Sequence, residues 1–312
     1  MNKVLVTGAN GFVGNILCKT LRSQNINFVP VVRKAVCDGQ FSIGHFNAKT
    51  DWGNALSGCD VVIHLAARVH VMNDKSANPL AVFREINCDA TLNLAKQAVL
   101  NGVKRFVFVS SIKVNGERTT KKPFTAFDKA LPHDPYGQSK LEAENALKEL
   151  SQETGLEVVI IRPPLVYGPG VRANFLQLMQ LVKMGVPLPL GAIRNLRSMV
   201  SVENLVDLLI TCSVHPKAAG HTFLVSDDRD ISISELLRIL FIAMGKRPLL
   251  IPVSPRIIAI IAMLFGKSAV AGRLLDSLQV DISYTKSVLG WKPKLTMEDS
   301  IKKTVAHFLG SS

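Results

Sequence analysis

The chain has 312 residues, 47% of them hydrophobic and 20% charged, a balance that excludes a disordered or fibrous polymer and leaves ample length for a buried core. Its 37 Lys and Arg outnumber 24 Asp and Glu, for a net charge of +13, which favours anionic ligands; with no aromatic-rich basic stripe, small phosphorylated molecules are expected rather than nucleic acid. Five cysteines, odd in number and without a C-x-x-C pair, argue against a disulfide framework or a zinc site and suit reduced thiols in the cytoplasm.

In chain order, the apolar run Val4–Val6 meets Thr7-Gly8-Ala9-Asn10-Gly11-Phe12-Val13-Gly14, after which Val13, Ile16, Leu17, Thr20 and Leu21 repeat at helical spacing. This predicts strand, glycine turn and helix. Glycines at 8, 11 and 14 allow a sharp turn and close approach to a pyrophosphate, whose charge meets the helix N-terminus. Gly8, Asn10, Gly11, Phe12, Val13 and Gly14 are therefore the expected lining of a dinucleotide site. A second strand over 27–32 carries Pro30, which predicts an edge or distorted position, and ends at Arg33. An arginine there suits a 2′-phosphate, so NADP(H) is favoured over NAD(H).

The run 60–67 predicts a buried strand ending in Ala66 and Ala67, small enough for backbone to pass a cofactor; His64 within it is expected to be a hydrogen-bonded core residue. A helix is expected from Leu80 to about Leu100, then a strand from Arg105 ending in Ser110-Ser111, a polar loop over 115–135, a helix from Tyr136 to about Thr154 and a strand over 158–162. Near-continuously apolar strands alternating with helices predict an α/β fold, a doubly wound parallel sheet covered on both faces, with function at the carboxyl ends of its strands. Helices are expected beyond Gly170 at 174–184, 203–213, 234–244, 256–265 and 296–309. These predict a dinucleotide-binding domain over 1–165, joined again by segments near 196–225, and a smaller, mostly helical substrate lobe over 166–312. The apolar run Ile257–Phe265 is far short of the about 20 residues a membrane span needs. It reads as a buried or oligomer-facing helix, with Arg256 and Lys267 at its ends leaving room for peripheral membrane contact. The start of the chain carries no secretory pattern, in keeping with a cytoplasmic protein.

Tyr136 and Lys140 stand four residues apart, on one helical face. An adjacent ammonium favours the phenolate and makes tyrosine a usable acid and base for a hydroxyl that exchanges a hydride. Ser111 can hydrogen-bond the same substrate oxygen, completing a catalytic trio of Ser111, Tyr136 and Lys140.

With these motifs together, the chain resembles the extended short-chain dehydrogenases/reductases, in the NAD-dependent epimerase/dehydratase group that includes UDP-glucose 4-epimerase. The resemblance implies a Rossmann domain and a homodimer formed through the Tyr136 helix and the helix near 80–100. It implies cofactor roles for Ala66, Ala67, Tyr136 and Lys140, for Asn87 of the segment Asn87–Leu94, and for Pro163 of the Arg162–Gly170 turn. It implies a UDP-sugar bound by Ser111, Asn174, Arg197 and Arg273. Departures are Arg33 in place of a ribose-binding acid and Val114-Asn115-Gly116 where the family often has V-Y-G.

The segments at 171–175 and 185–191 resemble the subgroup containing UDP-N-acetyl-quinovosamine dehydrogenase. Together with Arg33 this makes reduction of a UDP-4-keto-6-deoxy-N-acetylhexosamine in surface-polysaccharide synthesis the first expectation, by hydride transfer at C4. A UDP-glucose or UDP-N-acetylglucosamine 4-epimerase is the alternative. Dehydration ranks third because Ile112 and Lys113 stand where a carboxylate pair is needed. A non-catalytic NADP(H) sensor or scaffold on the same fold is the alternative of another class.

Overall fold

The computed structural model describes residues 3–69, 78–266 and 268–310. Strand β1 (Val4–Thr7) is wholly buried and feeds helix α1 (Phe12–Ser23) through the glycine turn. Next come β2 (Phe28–Val32), β3 (Phe41–Ser42), the short helix α2 (Gly53–Leu56) and β4 (Val61–His64). The predicted helix over 80–100 is divided into α3 (Pro79–Arg84), a π turn over Glu85–Asp89 and α4 (Ala90–Leu100). A π turn inserts one extra residue into the helical ladder. Here the turn contains Asn87, buried with its amide engaged by neighbouring elements.

Strand β5 (Arg105–Val109), helix α5 (Pro135–Thr154) and β6 (Glu157–Arg162) complete the run. Asp134 caps α5 by accepting from Gly137 N at 2.7 Å, with Pro135 in the first turn where its missing N–H costs nothing. The strands line up as β3-β2-β1-β4-β5-β6 in a parallel sheet.

Side chains alternate between two cores. Val4, Val6, Ile63, Val107, Val159 and Ile161 face Leu17 and Leu21 of α1, while Leu5, Val62, Phe106, Phe108, Val158 and Ile160 face α4 and α5. This period of two, with apolar residues on both faces, is why each strand reads as continuously hydrophobic.

Pro30, expected at an edge or distorted position, lies on a strand flanked on its outer side only by the two-residue β3. The carbonyls of Asn27 and Val31 accept from Val4 N and Ala9 N on the β1 side, and that of Val32 accepts from Ile43 N on the other. By alternation Pro30 turns its missing donor toward β3, whose pairing begins only at Val31 opposite Phe41.

After β6 the chain forms β7 (Leu165–Tyr167), α6 (Ala173–Met184), β8 (Arg197–Ser201), α7 (Val202–Val214), β9 (Thr222–Leu224), β10 (Asp230–Ile231) and α8 (Ile233–Ala243). Strand β9 joins the outer edge of β6 as a seventh parallel strand, and α7 packs beside α1 under the main sheet. Strands β7, β8 and β10 make a second small sheet. Helices α9 (Pro255–Leu264), α10 (Ser268–Leu275), α11 (Ser283–Leu289) and α12 (Met297–Gly310) follow. The lobe core is formed by Phe175 and Met179 of α6, Leu237 and Phe241 of α8, and Ile301 and Val305 of α12.

Helix α9, expected to be buried or oligomer-facing, is not buried within the chain: none of its ten residues is buried. Among the described residues, no helix is long and apolar enough to cross a membrane.

Candidate active site

The carboxyl ends of β1, β4, β5 and β6 converge with the start of α5. Gly8 has φ +65°, and a Cβ there would lie 3.0 Å from Ala66 N. A Cβ on Gly14 would lie 2.1 Å from Gly8 O, so the first turn of α1 sits directly against the turn that precedes it. Gly11 caps α1 with no side chain, its own N–H bonded to Gly8 O at 2.9 Å. The first-turn amides of α1 therefore open onto a backbone cradle that no Cβ fills, and this fits a pyrophosphate. Asn10 is exposed and Phe12 and Val13 half-buried along this cradle, with Ala66 and Ala67 half-buried facing it from β4. Arg33 is exposed directly after β2, its carbonyl accepting from Gly44 N at 2.9 Å.

A chain of hydrogen bonds joins the glycine turn to α5. Thr7 Oγ1 accepts from the N–H groups of Leu65 and Ala66, each at 3.1 Å, and pairs with His64 Nδ1 at 2.8 Å. His64 Nε2 pairs with Thr91 Oγ1 at 3.0 Å, and Thr91 donates to Asn87 O at 2.9 Å. Both hydroxyl protons have one consistent placement, which leaves a neutral imidazole with its proton on Nε2. Burial, with Lys140 adding to it, holds the His64 pKa well below its usual value. The Asn87 carboxamide accepts from Arg68 N at 2.8 Å and donates to Ser139 Oγ at 3.0 Å. Asn87 thus links the loop carrying Ala66 and Ala67 to the helix that carries Tyr136. His64 is the structural residue the sequence suggested.

Phe83 meets the Tyr136 ring edge-on at 6.1 Å, and the Ser111 side chain acts on the phenol. Burial pushes the phenol up to about 12, Asp134 adds to the rise and Ser111 opposes it. The ammonium of Lys140 donates to Val109 O at 2.8 Å and sits 4.4 Å from the Phe108 ring centre. Burial lowers its pKa to about 7, against the opposing charge of Glu144. Lys113, where a dehydratase needs a carboxylate, pairs with Asp134 and lies 3.6 Å from Glu117.

Beneath the serines lies a network that sequence reading did not assign. Ser110 Oγ donates to Glu144 at 2.5 Å, Arg162 Nε donates to the same carboxylate at 2.9 Å, and Arg162 Nη1 donates to Asn115 Oδ1 at 2.9 Å. Asn115 in turn donates to Thr125 O at 2.9 Å. The departure from V-Y-G thus places a buried amide on Arg162. A lone arginine in the apolar run 158–162 was the available signal, because a buried charge needs a partner. Pro163 is buried, and its carbonyl accepts from Ile112 N at 3.0 Å, tying β6 to the serine turn. Tyr167 donates to Asp227 at 2.6 Å and stacks on Phe175 at 5.3 Å.

Three of the residues expected at the substrate lie beyond β7. Asn174 is exposed on the first turn of α6. Arg197 is half-buried at the start of β8, donates to Asp276 O at 3.0 Å and has its pKa lowered by burial. Arg273 lies in α10, and its side chain falls outside the described residues.

The parallel sheet and the glycine cradle define a dinucleotide-binding fold, and residues 4–226 match the NAD dependent epimerase/dehydratase family. The chain belongs to that family and is an NAD-dependent enzyme of the extended short-chain dehydrogenase/reductase type. It is 51% identical over 312 residues to a UDP-glucose 4-epimerase of Vibrio cholerae, covering 98% of this chain and 95% of the relative. It is 30% identical over 251 residues to an N-acetyl-alpha-D-glucosaminyl-diphospho-ditrans,octacis-undecaprenol 4-epimerase of Escherichia coli O157:H7, covering 76% of this chain and 70% of the relative. The solved structure of MoeE5 in complex with UDP-glucose and NAD aligns with a TM-score of 0.79 at 26% identity, over 99% of both chains.

Proposed function

We propose that this enzyme is a UDP-hexose 4-epimerase that retains its dinucleotide through turnover. The observation that carries the reading is the 51% identity to the Vibrio cholerae UDP-glucose 4-epimerase along nearly the whole of both chains. It puts redox-neutral inversion at C4 ahead of the net reduction suggested by Arg33.

Gly8, Asn10, Gly11, Phe12, Val13 and Gly14 would hold the pyrophosphate, Arg33 the adenosine ribose, and Ala66 and Ala67 the backbone between, with Asn87 fixing that loop. Lys140, Tyr136 and Pro163 would flank the nicotinamide end. When bound, NAD supplies the hydride acceptor and donor for C4, and its positive ring favours the phenolate. Ser111 holds the C4 oxygen by a hydrogen bond. Tyr136 takes the hydroxyl proton as that oxygen becomes a carbonyl, and returns it to the same oxygen after the keto sugar has turned its opposite face to the dinucleotide site, which inverts C4. Asn174, Arg197 and Arg273 would bind the diphosphate, for which guanidinium forks are suited. Such an enzyme draws on neither cofactor pool, so the identity of the retained dinucleotide, NAD or NADP, is read from what heat-denatured protein releases. A cytoplasmic homodimer through α4 and α5 fits this reading.

Purified protein with UDP-glucose or UDP-N-acetylglucosamine and no added reductant should form the C4 epimer, followed by proton NMR. Tyr136→Phe should lose at least about a hundredfold in kcat while keeping its cofactor. No epimer, together with stoichiometric oxidation of NADPH by a UDP-4-keto-6-deoxy-N-acetylhexosamine, would replace the epimerase with the reductase. A Tyr136→Phe variant as active as the parent would instead support a sensor.

A further inference from the structure

Helix α9 leans on the lobe core through Ile258, with Ala262 half-buried one turn later. Its other large apolar side chains, Ile257, Ile260, Ile261, Met263 and Leu264, and the adjoining Phe265, are between 50% and 75% exposed. Isolated exposed apolar residues are ordinary, but five on one short helix with a sixth directly after it form a surface that water does not favour. Ile251 and Leu249, also exposed, lead into the helix, held by the backbone pairing of 249–251 with Leu188.

The stretch of sequence that carries this helix has charges of one sign. Residues 236–275 contain no Asp or Glu but include Arg238, Lys246, Arg247, Arg256, Lys267 and Arg273. Residues 158–202, which include the neighbouring α6, also lack acids and carry Arg172, Lys183 and Arg194. Arg256 is exposed on α9 itself, and Arg247 and Lys183 are exposed on the segments beside it. Two stretches of the chain, one of them carrying the exposed helix, are thus basic throughout. A second copy of the same face would bring cation against cation, whereas an anionic lipid surface supplies both opposite charge and an apolar layer. At ten residues α9 is about 15 Å long, half of the roughly 30 Å hydrocarbon core, so it is suited to lying on a bilayer and not to crossing it.

We propose that α9 docks the enzyme on an anionic membrane, its isoleucines, Leu264 and Phe265 entering the headgroup boundary while Arg256 and the surrounding basic side chains meet lipid phosphates. This goes beyond the epimerase reading and does not depend on it. The test is flotation of the full-length protein, with its cofactor as purified, on vesicles of phosphatidylglycerol with phosphatidylethanolamine or of phosphatidylcholine alone. Binding to the anionic vesicles, released by high salt, is expected. Arg256→Gln should weaken it about fivefold, the effect of one interfacial charge. The double variant Ile260→Glu and Leu264→Glu should abolish it with the parent's melting temperature and turnover unchanged, because both positions are exposed and neither is among the residues assigned to catalysis or binding. No flotation, or equal flotation on phosphatidylcholine, overturns the proposal. It is also overturned by an assembly that the double variant breaks while vesicles stay empty, which would make a second copy the occupant. Loss of epimerase activity alone, with flotation intact, would count only against the proposed reaction.

Discussion

Lys140 donates its ammonium to the carbonyl of Val109 at 2.8 Å, so the charged end of the α5 side chain is anchored at the carboxyl end of β5, just before the two serines. Burial there lowers its pKa to about 7. A lysine so depressed binds fewer protons folded than unfolded between about pH 7 and its ordinary value near 10.4. Its contribution to stability therefore rises through that window by roughly 1.4 kcal/mol per pH unit and is lost as pH falls to 7. Urea unfolding of cofactor-free protein at pH 7 and pH 9 should show this slope, and Lys140→Met should flatten it; parallel profiles would contradict the assignment.

His64 is engaged at both ring nitrogens as a neutral group and its pKa is held well below 6.5 by burial. The unfolded chain takes up a proton near 6.5 that the folded chain refuses, so stability falls as pH drops below that value. His64→Phe keeps the ring volume and removes this acid sensitivity. It also leaves Thr7 and Thr91 without their partner, at about 1–3 kcal/mol for each buried group left unsatisfied. Acid unfolding followed by circular dichroism would display a lower starting stability and a shallower acid slope.

Glu144 is fully buried and accepts from both Arg162 and Ser110. Glu144→Ala strands the guanidinium and should cost about 3–5 kcal/mol. Asn115→Ala, which removes only the amide on the other side of Arg162, should cost about 1–3 kcal/mol. Guanidinium chloride midpoints order the two variants, and a smaller loss for Glu144→Ala would refute the network.

Gly14→Ala would drive a methyl group to within 2.1 Å of Gly8 O, and the glycine turn would have to move away from α1. The expected penalty is about 1–3 kcal/mol, as for over-packing elsewhere, concentrated on dinucleotide affinity. Isothermal titration with NAD should show it, with the melting temperature of the cofactor-free protein changed far less than affinity.

The sequence by itself determined what is local. Glycine spacing, the period of apolar residues and the strand-then-helix order specify the Rossmann sheet, the cradle at Gly8 to Gly14 and the positions of Ser111, Tyr136 and Lys140, because backbone conformation and face periodicity are set by near neighbours. The seam within 80–100 was not legible, since a π turn keeps helical periodicity on either side and is selected by what Asn87 must reach. Only the tertiary structure decided which buried polar groups meet. Glu144, Arg162 and Asn115 stand 18 and 47 residues apart, and nothing in their spacing names the partner. It also decided that the most apolar helix of the lobe is exposed, because burial depends on which surfaces remain to cover an element once α6, α8 and α12 have closed the lobe core among themselves.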